Sequence, residues 1–205
     1  MDWAAIAERQ RERYETTGKP VLRGNAAYGA ALAHLMAAEP DDTRAWFHRA
    51  ASAWRESWSD ATPTSWGRPI GATKALLLAG DDDGAAGAAD WALSLGCEEA
   101  ESPIGRYAAA LALLTLARDE DARPQADVLR GRDDFPADVA DALAFIAAHD
   151  PVAYAEAADS VLTSFENRDE YLEDVPVADT LLVLQLLAAR RGIAADLRES
   201  PVLPV

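Results

Sequence analysis

Trp66-Gly67-Arg68-Pro69-Ile70-Gly71-Ala72-Thr73-Lys74-Ala75-Leu76-Leu77-Leu78-Ala79-Gly80 is echoed downstream by Ser102-Pro103-Ile104-Gly105-Arg106-Tyr107-Ala108-Ala109-Ala110-Leu111-Ala112-Leu113-Leu114. Each copy opens on Pro-Ile-Gly and runs into alanines and leucines. The openings at 69 and 103 lie 34 residues apart, the length of a tetratricopeptide-type helical hairpin. Ala85, Ala88, Ala89, Ala92 and Leu95 recur at helical spacing between the copies, with Gly96 beyond the last turn. So many small residues predict closely approaching backbones, which a bulky side chain at Ala88 or Ala92 would overpack. The second unit's partner helix is expected over 123–130.

Working outward, the same periodicity predicts helices almost everywhere. Asp2 to Tyr14 places Trp3, Ile6 and Ala7 on one side, and Thr16 to Pro20 ends that helix. A second helix is expected from Asn25 to Glu39. A third, capped by Asp41, Asp42 and Thr43, carries Phe47, Trp54 and Trp58 on one face. Such an aromatic stripe is read as core rather than as a ligand box. Pro136 and Pro151 open two further helices, the second presenting Val152, Ala155, Ala158, Leu162 and Phe165. Val177 to Arg191 is the most apolar helix, and Ser200 to Pro204 forms an extended tail. The expected fold is all-α: stacked antiparallel helical hairpins forming a tetratricopeptide-like α-solenoid or bundle, in a single domain spanning 1–205.

Composition narrows the function classes. The 205 residues carry a net charge of −16, so bare nucleic acid and anionic membrane are not expected partners, since both need clustered cations. Lys19 and Lys74 are the only lysines. A lysine-poor, acidic surface suits a salt-adapted host, and equally an anionic face for a basic protein partner. A lone Cys97 and the absence of a signal-peptide pattern in Met1 to Glu15 lead to the expectation of a cytoplasmic protein.

No motif announces chemistry. His34, His48 and His149 have no metal-type spacing, Gly24 to Gly29 lacks the lysine of a phosphate loop, and no nucleophile elbow occurs. Asp81, Asp82, Asp83 and Gly84 read as a helix-capping turn rather than a calcium loop. No catalytic residue, metal or cofactor is therefore expected. The candidate partner-binding positions are the acidic stretches Asp81, Asp82 and Asp83; Glu98, Glu99 and Glu101; and Asp169, Glu170, Glu173 and Asp174.

From Tyr171 the chain reads Tyr-Leu-Glu-Asp-Val-Pro-Val-Ala-Asp-Thr-Leu-Leu, then Leu187 to Ile193, then Ser200-Pro201-Val202-Leu203-Pro204. This proline-led apolar helix, arginine-glycine end and Ser-Pro-x-Leu-Pro tail resemble the C-terminal signature of the Immunity protein 49 family, and Ala50 to Trp58 and Gly67 to Gly80 are similar to its central helices. The resemblance implies an all-helical protein that neutralises a cognate toxin by direct binding, and it assigns no contact residues. A basic toxin domain is then the expected partner. A tetratricopeptide-like scaffold for cellular proteins is the alternative reading, and an enzyme with a site assembled from scattered residues is the third.

Overall fold

The computed structural model describes residues 1–204, and among them there are ten α-helices and no strand. They are α1 (Trp3–Thr16), α2 (Pro20–Met36), α3 (Pro40–Glu56), α4 (Gly67–Leu78), α5 (Asp82–Ser94), α6 (Pro103–Thr115), α7 (Asp119–Arg130), α8 (Ala137–Ala147), α9 (Pro151–Glu166) and α10 (Asp179–Ala189). From α1 to α9 each helix packs on the next, and α10 returns to lie against α4, α8 and α9.

Four hairpins, α2–α3, α4–α5, α6–α7 and α8–α9, share one turn. The residue just past the first helix is left-handed: Ala38, Gly80, Ala117 or His149. The next residue donates its N–H back to the carbonyl three residues before the helix's last half-in residue: Glu39 to His34, Asp81 to Leu76, Arg118 to Leu113, Asp150 to Phe145. This is the Schellman arrangement, which satisfies the carbonyls left over at a helix end. The same donor residue is also the N-cap of the following helix. Asp81 and Asp150 additionally cap with their carboxylates, accepting from Gly84 N–H at 2.9 Å and from Val152 and Ala153 N–H at 3.1 Å.

Several expectations are corrected. Pro20 does not merely end α1; it opens α2, because a proline's fixed φ and missing N–H are tolerated in the first helical turn. The cap of α3 is Glu39, with Asp41 and Asp42 inside the first turn, where they favour the helix dipole. Helix α7 begins at Asp119 rather than near Arg123, and Pro124 lies inside it. Three acidic residues at its start and the burial of Ala122 hold the first turn that the proline weakens. Asp119 also anchors that turn by accepting from the Arg191 guanidinium and meeting His149 Nε2 at 2.6 Å. Burial opposes the charge on Asp119, but these hydrogen bonds hold its carboxyl below the usual carboxylate range. On α9, Val152 and Ala155 face solvent, and the buried face is Tyr154, Ala157, Ala158, Val161, Leu162 and Phe165. The tail forms no helix, as expected, and it is anchored: Val202 and Leu203 are buried, and Val202 C=O accepts from Ala178 N–H at 2.9 Å.

The core changes character along the chain. Around α6 to α10 it is mainly leucine, with Leu111, Leu114, Leu143, Leu162, Leu181 and Leu184 around Tyr107, Phe135, Tyr154 and Phe165. Around α1 to α4 it is aromatic and alanine-rich, with Tyr28, Trp46, Phe47 and Trp54 among small residues. The ring of Tyr28 lies 5.4 Å from Phe47 and 5.3 Å from Trp54. Leu76, Leu78 and Leu182 pack against both clusters and join them. Trp54 is core as expected. Trp58 is only half-buried and meets Trp91 edge-on at 5.7 Å.

Candidate functional site

Where α2, α4 and α10 converge, polar groups enter this otherwise apolar interior. Lys74 of α4 and Asp179 of α10 are each only 8 % exposed, and Tyr28 of α2 is fully buried. Lys74 Nζ donates to Asp179 Oδ2 at 2.5 Å and to Thr180 Oγ1 at 3.0 Å. The Tyr28 hydroxyl donates to the same Oδ2 at 2.8 Å, while Asp179 Oδ1 accepts from Thr180 N–H at 2.8 Å. Burial alone would pull the lysine down, but the Asp179 carboxylate more than offsets it, so Lys74 stays above its ordinary value as an ammonium. Burial, then Asp179, pushes Tyr28 well above the ordinary phenol. Tyr107 is raised mainly by burial, and its hydroxyl has no hydrogen-bond partner among the described residues. With the amine protonated and both phenols neutral, the cluster is suited to holding and orienting groups, not to abstracting protons.

A cleft of about 390 Å³ opens onto this cluster. One wall is Trp54, clamped between two glycines. A Cβ at Gly24 would come within 2.5 Å of the indole, and one at Gly71 within 2.6 Å, so only glycine lets the ring sit between α2 and α4. The indole N–H donates to Asn25 Oδ1 at 3.0 Å. Val21, Ile70 and Leu172 add apolar surface, and Arg68 stands at the start of α4. The sequence reading missed this site. Its one signal is a charge in each of two apolar runs: Lys74 before Leu76 to Leu78, and Asp179 among Val175 to Leu184.

The acidic stretches are not gathered into one surface. Asp81 caps α5, Asp82 is bonded to Arg190, and Asp83 is exposed. Glu98, Glu99 and Glu101 follow the other end of α5, roughly 20 Å away at 1.5 Å per residue. Asp169, Glu170 and Asp174 are exposed beside a 3-10 turn, Leu172–Asp174. Glu173 turns inward instead: its carboxylate pairs with Arg13, its backbone carbonyl accepts from Gln10 at 2.7 Å, and its φ is +57°. The second and third stretches both lie near the N-terminal end of α4. Leu172 shares the cleft with Gly67, and Trp66 packs where Ala100 and Gly105 meet.

Two other clusters have defined chemistry. The donor atoms of His34, Glu39 and Asp42 lie within 4.8 Å of one another and could hold a metal ion, although His34 Nδ1 already contacts Glu39 Oε2 at 2.5 Å. Cys97 is fully buried, and burial pushes its thiol up to about 12, far from a reactive thiolate. No helix among the described residues is long and apolar enough to cross a membrane. The chain matches no family model, no curated protein and no solved structure.

Proposed function

We propose that the protein is a binding protein that holds a basic protein partner against the end of the helix stack where α2, α4 and α6 begin. One observation carries this reading. That end exposes Leu22 (40 %), Ile104 (46 %) and Leu172 (48 %) beside Glu98, Glu99, Glu101, Asp169, Glu170 and Asp174, none of which is in an ion pair among the described residues. Apolar anchors ringed by unpaired carboxylates suit a partner with apolar contacts inside a basic rim. The resemblance of the C-terminal stretch to the Immunity protein 49 family implies that this partner is a toxin domain neutralised in the cytoplasm, and the chain's net charge of −16 favours a basic one. Such a protein works by occlusion and needs no catalytic group of its own.

We read the four hairpins as a tetratricopeptide-like stack, supported by their shared turn and by α4 packing on α6 and α6 on α8. In that arrangement a scaffold would bind extended peptides along its inner row of helices. Here α10 lies along α4 and α8 on that row, which favours binding at the end of the stack over binding in a groove.

The test is calorimetric titration with a toxin domain encoded beside the gene. Neutralising Glu98, Glu99, Glu101, Asp169, Glu170 and Asp174 together should weaken binding about tenfold or more, while neutralising Asp81, Asp82 and Asp83 at the other end leaves it unchanged. No complex, or equal effects of both sets, would refute the reading.

A further inference from the structure

The cleft above Lys74 has more hydrogen-bond donors than acceptors left to use. Asp179 is the one carboxylate in its lining, and both of its oxygens are taken, by Tyr28, Lys74 and the Thr180 N–H. Asn25 spends its carbonyl on Trp54, which leaves its amide N–H groups without a protein partner among the described residues. Arg68 donates through Nη1 to the Ser57 carbonyl, leaving Nε and Nη2 unused. Lys74 makes two bonds and has a third N–H. Two cations against one carboxylate also leave the lining with an excess positive charge, inside a chain whose net charge is −16. A donor-rich, singly positive recess calls for one anionic acceptor.

The remaining walls set the rest of the ligand. Trp54 is held rigidly by Gly24 and Gly71, and Ile70 and Leu172 line the same space. A volume of about 390 Å³ lies at the small end of the range for ligand sites. We propose that this cleft binds a small organic monocarboxylate with an aromatic or branched apolar body. The carboxylate meets Arg68, Asn25 and the free N–H of Lys74, and the body lies against Trp54, Ile70 and Leu172. Binding requires no chemical step, and it is measured on the free chain, because Leu172 belongs both to this cleft and to the face proposed for the protein partner.

Phenylacetate is the probe, and phenylacetamide is its uncharged counterpart of nearly the same shape. The readouts are titration calorimetry and the NMR shift of the Trp54 indole N–H, which lies in the wall of the cleft. Phenylacetate should move that resonance in a saturable way and bind about tenfold more tightly than the amide, the order expected for a charge-assisted contact. Arg68→Gln should weaken phenylacetate about fivefold or more and leave the amide unaffected, while Arg44→Gln, at an α3 residue that donates to the Ala79 carbonyl past the far end of α4, changes neither. Equal affinity for acid and amide, or an Arg68→Gln protein that binds phenylacetate unchanged, would overturn the proposal. So would the absence of any Trp54 shift with phenylacetate, benzoate, isovalerate and indole-3-acetate at millimolar concentration. The acid–amide comparison needs only the unaltered chain, so it holds even if the variant fails to fold.

Discussion

Helices α4 and α6 carry the same Pro-Ile-Gly near their starts and are used in opposite ways. In α4 Ile70 lines a cleft, Gly71 makes room for a tryptophan from α3, and Lys74 is a buried ammonium. In α6 the matching residues are Ile104, which faces solvent, Gly105, which clears Ala100 and Trp66, and Ala108, which is plain core. The N-termini differ too: Ser102 caps α6 through its hydroxyl, whereas Trp66, the N-cap of α4, makes no side-chain cap. A repeat therefore sets where a helix lies, and its neighbours determine what the helix does. Helix α4 has α10 returning beside it with Asp179, and this is why a lysine survives at one copy and an alanine at the other.

Three changes would break or sharpen that contrast. The largest effect belongs to Lys74→Ala, which strands the Asp179 carboxylate in the interior and should cost about 3–5 kcal/mol in urea unfolding. Pairing it with Asp179→Leu should recover much of that loss, since an apolar pair can replace a buried ion pair at little cost. The folded-state values of Lys74 and Tyr28 both lie above their ordinary ones. Their contribution should therefore be complete below about pH 10 and fade as pH rises through the raised values. Stability unchanged at pH 11 would contradict the buried ammonium.

A smaller loss, about 1–3 kcal/mol, is expected for Gly71→Ala, because the indole pressed by the new methyl is already blocked by Gly24 on its other side. Thermal unfolding measures it, and a neutral result would mean that Trp54 can move. The smallest effect has the opposite sign. Helix α4 ends on left-handed Gly80, but α6 ends on left-handed Ala117, at φ +56°. Ala117→Gly should stabilise by about 0.5–1 kcal/mol, as relief of a strained alanine, and a loss instead would show that Ala117 is not strained.

Much of the fold was legible because its signals are local. The Pro-Ile-Gly openings, the Asp81 cap, Gly80, Gly96 and the Phe47–Trp54 stripe each lie within one or two helical turns of what they specify. Pro20 misled because a proline reads alike as a stop and as a first-turn residue, and α7 was expected too short because Pro124 lies inside it, past an acidic first turn and buried Ala122. The shared hairpin turn was hidden wherever Ala38, Ala117 or His149 stands in place of glycine, since tertiary packing imposes the left-handed backbone there. The cleft was the least legible part. Its central bond joins residues 105 apart, and nothing near Lys74 announces Asp179. The acidic stretches were visible, but their division between two ends of α5 required the helix to be placed first.

The long reach of that bond also bears on how the chain is made. Synthesis delivers α1 to α9 before α10, so during translation Lys74 and the Tyr28 hydroxyl wait without the carboxylate that joins them. Until Asp179 arrives, the lysine has every reason to remain hydrated and to keep α2 and α4 from closing on each other. Helix α10 then closes the stack that α1 to α9 begin, through Asp179 at its start and Val202 pinned to Ala178 behind it.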